Sequence, residues 1–322
     1  MHINPHYGTI IRKYERALKQ RNTLLKQENA SRSKLTISFY HTLHSIIKTM
    51  KILNGAELAS FVKVRQLKQV RNLRQSKKII PKLSVVYVDS GNKVIDTYIN
   101  LKKAYANDIL VEFSVYKENA DTIIERLNIL SRDDSIHGII VQLPLPGDLD
   151  TDQILSHINP NKDVDGLSGG NFTPATPMAI NWLLSGYGID LSGKNVAIVG
   201  RGKLVGAPLT RLWKESGYNV DVFEKGDGYD LHIEIPKYDV IVTATGATGL
   251  IKSSMLKSGA VVIDAGTASE KGIIKGDLSD DVRERKDLII TPDKGGVGPL
   301  TVAALFDNTI LAAYRQAKLN GM

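Results

Sequence analysis

Between residue 50 and the C-terminus the apolar positions switch repeatedly between helical spacing and short unbroken runs, and each switch predicts a change of element. Helical spacing over 50–78, opening at Met50-Lys-Ile-Leu-Asn-Gly, predicts a long helix, and Pro81 separates it from an apolar run at 83–88 that predicts a strand. Helices over 94–107 and 120–130 then alternate with strands over 109–115 and 138–143. This βαβ alternation implies a parallel sheet with right-handed crossovers. After a helix at 179–184, five short apolar runs at 196–199, 219–223, 240–243, 261–264 and 288–291 predict a second parallel sheet. Their β-branched, unbroken character is what strands covered on both faces require. A closing helix runs to about Lys318. The expected fold class is α/β with two domains. The first holds residues 50–160 with the closing helix 297–322, the second is a doubly wound sheet over 161–296, and residues 1–49 form a separate extension.

The candidate chemistry lies where these strands end. Val196-Ala-Ile-Val-Gly200-Arg201-Gly202-Lys-Leu-Val205-Gly206-Ala-Pro208 reads as a buried strand, a glycine turn and a helix beginning near Leu204. Gly200 and Gly202 would permit positive φ and close approach of a ligand, and the helix start would aim free N–H groups at an anion. Pro208 fits only the first turn of that helix, where its missing N–H has no partner to lose. The Gly-x-Gly-x-x-x-Gly spacing is one residue off the usual dinucleotide fingerprint, and a tight turn without a ligand is the competing reading. Glu224 strengthens the nucleotide reading, because it ends the next strand eighteen residues after Gly206, where a Rossmann unit places the acid that holds the ribose hydroxyls. Glycines follow three strand ends, at Gly200, Gly246 and Gly266, where an open α/β sheet binds its ligand. The expected cofactor contacts are therefore Gly200, Arg201, Gly202, Val205, Gly206, Glu224, Lys225, Thr245, Gly246 and Thr267.

Composition narrows the partners. The 322 residues contain no cysteine, which excludes disulfides and thiolate chemistry. No apolar run approaches the roughly 18 residues of a membrane span, and nothing resembles a signal peptide, so a cytoplasmic location is expected. The net charge of +8 suggests an acidic partner until it is divided along the chain. Residues 1–49 hold nine Lys/Arg against two Glu, a net of +7, which leaves +1 for residues 50–322. Any argument for nucleic acid belongs to the extension. There Tyr7, Ile10, Ile11, Tyr14, Leu18 and Leu25 fall at helical spacing among basic residues, predicting a basic amphipathic helix. Residues 3–27 resemble a short internal piece of the DNA-repair ATPase RecF, but no ATPase phosphate-binding motif occurs in the chain. His41 and His44 could share a helix face for a metal, although a third ligand is lacking, and no metal site is expected.

Four further landmarks punctuate the chain. Tyr98 and Lys102 stand at i and i+4 on one helix face. Gln142-Leu-Pro-Leu-Pro146 carries the chain stiffly off a strand end, with Gln142 at its lip. Lys162-Asp-Val-Asp165-Gly166 reads as a turn, since the later glutamate of a calcium loop is absent. Gly295-Gly296-Val-Gly-Pro299-Leu-Thr301 precedes the closing helix. Together with the glycine loop, and in this order over residues 50–322, these pieces resemble the bifunctional methylenetetrahydrofolate dehydrogenase/methenyltetrahydrofolate cyclohydrolase family, FolD.

The resemblance implies a homodimeric enzyme in which a Rossmann domain brings NADP or NAD to a tetrahydrofolate derivative held by the other domain. It implies Lys102 as the catalytic lysine, Tyr98 stacking on or orienting the pterin, Gln142 positioning Lys102, and Asp165 accepting from the pterin's donors. Gly295, Gly296 and Pro299 would complete the substrate site. The chain departs from the family in four places: Lys93-Val-Ile-Asp-Thr replaces a serine-bearing approach to Tyr98, the connection between Gly166 and Pro174 is shorter than usual, Gly202 replaces a serine, and Lys294 replaces a proline. Glu224 would repel a 2′-phosphate and Gly202 offers it no hydroxyl, whereas Arg201 and Lys225 would attract it, so the balance leans to NAD. Two other readings stay open: another dehydrogenase of the same domain plan, and a nucleic-acid accessory protein working through residues 1–49.

Overall fold

The computed structural model describes residues 51–89, 91, 93–270 and 273–319. The expected basic helix and the His41/His44 pair lie outside the described residues.

The described residues begin in a strand, β1 (Lys51–Ile52), not in the expected helix. Two backbone bonds explain this: Lys51 N–H donates to Leu288 O at 3.2 Å and Leu53 N–H to Ile290 O at 2.8 Å. Helix α1 (Gly55–Asn72) starts only after Asn54, whose side chain accepts from Glu57 N–H at 3.1 Å and caps the first turn. A π-helical turn, Leu73–Lys77, ends it. Strand β2 (Lys82–Val88), helix α2 (Lys93–Ile109), strand β3 (Glu112–Glu118), helix α3 (Ile123–Arg132) and strand β4 (Gly138–Val141) follow. They form a parallel three-stranded sheet in the order β3-β2-β4. The expected strand at 109–115 is displaced because Ile109, fully buried, is the last residue of α2, and Leu110 takes a left-handed φ of 63° that closes the helix. Apolar character there marks a buried helix end.

Helices α4 (Thr151–Ser156) and α5 (Ala175–Gly186) lead to the second sheet. Pro177 sits in the first turn of α5, so the helix is longer than the expected 179–184. Strand β5 (Val196–Val199), helix α6 (Gly206–Glu215), strand β6 (Val220–Phe223), helix α7 (Leu231–Glu234), strands β7 (Val240–Thr243) and β8 (Val261–Asp264), a hairpin β9 (Ala268–Glu270) and β10 (Ile273–Lys275), helix α8 (Asp280–Glu284) and strand β11 (Ile289–Ile290) complete it. The sheet is six-stranded and parallel throughout, in the order β1-β11-β8-β7-β5-β6. Four of its strands are buried at every position or all but one, which matches their unbroken apolar runs.

The closing helix α9 (Val297–Leu319) packs on α1 and α5. Contrary to the expectation from the sequence, this stretch is long and apolar enough, by length and composition, to cross a membrane. Its apolar character has a visible use: Leu300, Ala303, Ala304, Phe306 and Ala313 are fully buried in the main core, with Phe306 stacked on Tyr105 of α2 at 5.2 Å. The polar residues of α9 that face inward are bonded. Asp307 pairs with Arg65 and accepts from Gln66 Nε2 at 3.2 Å. Asn308, 3% exposed, donates from Nδ2 to Val164 O at 2.8 Å and to Thr173 O at 3.0 Å.

Asn308 therefore ties α9 to the segment between α4 and α5. Asn308→Ala should remove both bonds, leave the buried Val164 carbonyl unpaired and lower unfolding stability by roughly 1–3 kcal/mol. Urea denaturation measures this, and a loss within about 0.5 kcal/mol of zero, the range of an ordinary surface change, would contradict it.

Candidate active site

Both sheets present the carboxyl ends of their strands to one cleft of about 980 Å³. Gln142 follows β4, Asp264–Thr267 end and follow β8, and Pro292–Gly296 follow β11, and all line it. The region beyond parallel strand ends is where open α/β sheets bind ligands.

On the α2 wall, the i, i+4 spacing aims Tyr98 and Lys102 into the cleft together, with Lys102 Nζ 5.8 Å from the Tyr98 ring centroid. Lys102 Nζ donates to Gln142 Oε1 at 2.7 Å. Gln142 cannot turn its amide freely, because its Nε2 donates to Leu143 O at 2.9 Å and its own N–H is held by Val86 O at 2.8 Å. The cis peptide Leu143–Pro144 follows directly. Burial lowers the Lys102 pKa from its ordinary value, and the Asp165 carboxylate partly counters the effect. Asp165 enters from the opposite side on the segment after α4. Burial pushes its carboxyl up to about 6, opposed by Lys102 and assisted by Asp163. Burial likewise raises the Tyr98 phenol. A neutralisable amine, a fixed amide and a raised acid thus share one wall. That set can bind a flat donor-bearing ring and move a proton beside it.

Gly295, Gly296 and Pro299 also line the cleft, packed against the start of α1 through a bond from Ala56 N–H to Gly295 O at 2.9 Å. Reasoning from the sequence missed the α1 residues Ala56, Ser60 and Lys63 and the first-turn Thr176 of α5. They carry no motif, and only the helix packing brings them to the site.

Of the expected cofactor contacts, Val205 and Thr267 line the cleft itself. The others lie along the ends of β5, β6 and β7. Gly200 has φ 101°, and a Cβ there would lie 2.6 Å from Ala244 O, while a Cβ at Gly206 would overlap Gly200 O. Only glycines allow the strand, loop and helix to approach this closely. Gly202, expected to need positive φ, does not have it; its Cβ direction is open save for Ala244 O at 3.9 Å. Helix α6 starts at Gly206, two residues later than expected, and no side chain caps it. In its first turn Ala207 N–H donates to Gly202 O at 3.1 Å and Pro208 has no N–H, so the positive end of the helix dipole is its main offer to an anion. Lys203 of this loop pairs with Asp152 of α4. Glu224 and Lys225 are exposed beyond β6, and Arg201 Nη1 stands 3.9 Å from Glu224 Oε2. Thr245 N–H donates to the buried Asp277 at 2.7 Å, and Gly246, with φ 69°, faces Thr267 O. The close glycine cradle, the uncapped helix and the acid at the second strand's end together fit a dinucleotide.

Two family profiles match this chain. One, described as the catalytic domain of tetrahydrofolate dehydrogenase/cyclohydrolase, covers residues 53–165, and the other, its NAD(P)-binding domain, covers residues 174–317. The chain belongs to the tetrahydrofolate dehydrogenase/cyclohydrolase family. It is 36% identical over 277 residues to the bifunctional protein FolD of Staphylococcus haemolyticus, which covers 81% of this chain and 96% of that one. Among solved structures it is similar to the FolD dehydrogenase/cyclohydrolase of Campylobacter jejuni, with a TM-score of 0.76, 34% identity and coverage of 83% and 99% of the two chains. It is also similar to the Trypanosoma brucei enzyme complexed with NADP and inhibitor, with a TM-score of 0.77, 30% identity and coverage of 83% and 98%. The tetrahydrofolate dehydrogenase/cyclohydrolase match thus takes in the Lys102 wall and the glycine cradle alike.

The raised acid gives a pH signature. Since the Asp165 pKa is about 6 in the folded chain and about 3.9 unfolded, the folded state holds the proton more tightly in that window, and stability falls as pH rises through it. Asp165→Asn removes this cost. The variant should gain stability over the parent of roughly 2–2.5 kcal/mol at pH 8 relative to pH 4, read by urea denaturation at each pH. A pH-independent difference would contradict the raised acid.

Proposed function

We propose that this chain oxidises 5,10-methylenetetrahydrofolate to the methenyl form with NAD(P)+ and hydrolyses that product to 10-formyltetrahydrofolate. The observation that carries the reading is the half-buried Lys102 amine held on Gln142 Oε1 at 2.7 Å in the shared cleft. A lysine whose pKa is lowered by burial has a larger neutral fraction near neutrality, which is what proton transfer at working pH requires. In the hydrolysis, water adds to the methenyl carbon and neutral Lys102 takes the proton that water loses. The carbinol then gives up its hydroxyl proton to solvent as the C–N5 bond breaks, and N5 takes the proton back from Lys102, leaving the formyl group on N10 and one proton released overall. Gln142 keeps Nζ aimed at that position. Asp165 accepts from the amino and ring N–H groups of the pterin, a paired donor set that suits a carboxylate. Tyr98 stacks on or orients the same ring, and Gly295, Gly296 and Pro299 close the far side. When bound, the nicotinamide dinucleotide supplies the hydride acceptor that protein side chains lack. Gly200, Gly202, Val205 and Gly206 would hold its phosphates, with Thr245, Gly246 and Thr267 beside the nicotinamide end.

Glu224 and Arg201 bear on the choice of dinucleotide. The acid is placed for a ribose diol, and Arg201, 3.9 Å from it, is already directed to a carboxylate. A 2′-phosphate would have to displace that partner with only Lys225 to assist, so NAD is favoured over NADP. The reading also includes a folate side of 50–160 with 297–322, a cofactor side of 161–296, a cytoplasmic location and a homodimer. No contact with nucleic acid is assigned to residues 50–322, whose charge nearly balances.

Lys102→Met keeps the helix and much of the side-chain volume but removes the proton acceptor. Hydrolysis of methenyltetrahydrofolate should fall by about 10²–10⁴-fold while part of the oxidation persists; a variant that hydrolyses at near-parent rate would sink the assignment. For the dinucleotide, kcat/KM should favour NAD, and Glu224→Gln should move the ratio toward NADP. A ratio favouring NADP that the substitution leaves unchanged would show that Arg201 and Lys225 dominate.

A further inference from the structure

The segment that presents Asp165 is organised by a carboxylate that never reaches the cleft. Asp163 is 1% exposed, and its side chain accepts three bonds from the turn that follows. Oδ1 takes Gly166 N–H at 3.1 Å, and Oδ2 takes Ser168 N–H at 2.8 Å and the Ser168 hydroxyl at 2.7 Å. Gly166 turns at φ 71°, where a Cβ would lie 2.7 Å from Phe172 O. On the other side, Lys162 O accepts from Ile139 N–H at 2.7 Å and Asp163 bridges Ile139 in parallel, so the segment runs alongside β4. The Lys162 ammonium, 8% exposed in all, donates to Asp133 O at 2.7 Å and Leu130 O at 3.4 Å, closing the end of α3. Of the five residues Lys162 to Gly166, only Asp165 lines the cleft. The other four are spent on holding it there.

We propose that Asp163 is a positioning residue for the reaction, locking the turn that presents Asp165 and setting a negative charge beside that acid. The inference rests on Asp165 being the group that receives the folate ring. Two charges act on Asp165: Lys102, from α2 across the cleft, favours its ionised form, and Asp163, from its own segment, opposes it. Burial is the larger effect and raises the acid to about 6, with Lys102 working against that rise and Asp163 adding to it. A surface carboxylate capping an ordinary turn would hold the backbone without this second effect.

The test uses the full chain and cofactor-free hydrolysis of methenyltetrahydrofolate followed against pH. Asp163→Asn keeps the size of the side chain and removes its charge. The acid limb of kcat/KM should move to lower pH, and the folate KM should rise roughly tenfold as the turn loses charge-assisted bonds, with the dinucleotide KM of the oxidation unchanged. An acid limb that stays at the parent position overturns the proposal, whatever happens to KM. If that variant does not fold, Ser168→Ala removes one donor and retains the charge. It should raise the folate KM several-fold with the acid limb in place, and a parent-like KM overturns the proposal. Asp165→Asn separates the two levels of inference: parent-like activity there refutes the role of Asp165 itself, whereas a large loss there with an unmoved Asp163→Asn profile refutes only the role of Asp163.

Discussion

Burying one lysine amine between two sheets is the constraint on which the site depends. An unpaired ammonium in such a place would be costly, and Lys102 is tolerated because Gln142 Oε1 accepts from it and Asp165 lies near enough to act on its charge. Each partner is fixed by something further out. Gln142 is held by the backbone of β2 and by its own neighbour Leu143. Asp165 is held by Asp163, and its segment by Asn308 of α9 through Val164 O. The same burial that makes the amine expensive shifts its acid–base behaviour toward neutrality, so cost and chemistry have one origin.

The second sheet supplies what the first lacks. Its glycine cradle is so close that a side chain at Gly206 would collide with the Gly200 carbonyl, and α6 starts there with no side chain capping it. Two features join the walls: the Lys203–Asp152 pair, and helix α9, which leaves the β11 end of the cofactor-side sheet and packs on α1 and α5. Strand β1 does the same ahead of α1, pairing with β11. The two sides of the cleft are therefore connected by covalent crossings as well as by packing.

Much of this architecture was legible in the sequence, and the exceptions share a cause. Strands β5, β7 and β8 were readable to the residue, because strands buried on both faces leave unbroken apolar runs. Strand β1 was not, since its two residues carry no local signal and exist only through pairing with Ile289 and Ile290, far along the chain. Ile109 read as a strand start because a buried helix end and a buried strand look alike over a few residues, and Leu110's left-handed turn has no glycine to announce it. In the site, Tyr98 and Lys102 were visible as an i, i+4 pair. The convergence of Gln142 and Asp165 on them was legible only through resemblance to a family, because it depends on three separate segments folding to one place. Asp163 looks like an ordinary turn residue in the sequence, for nothing in its spacing reveals that its carboxylate is buried under three donors.

The central claim is that one cleft carries both an oxidation and a hydrolysis of the same folate carbon. Its most direct measurement is an absorbance time course with the purified full chain, 5,10-methylenetetrahydrofolate and each dinucleotide in turn, following reduced nicotinamide and the methenyl intermediate together. The account predicts folate-dependent dinucleotide reduction with little accumulation of the methenyl species, and hydrolysis of added methenyltetrahydrofolate without any dinucleotide. Reduction that proceeds while added methenyltetrahydrofolate disappears no faster than in buffer would contradict it.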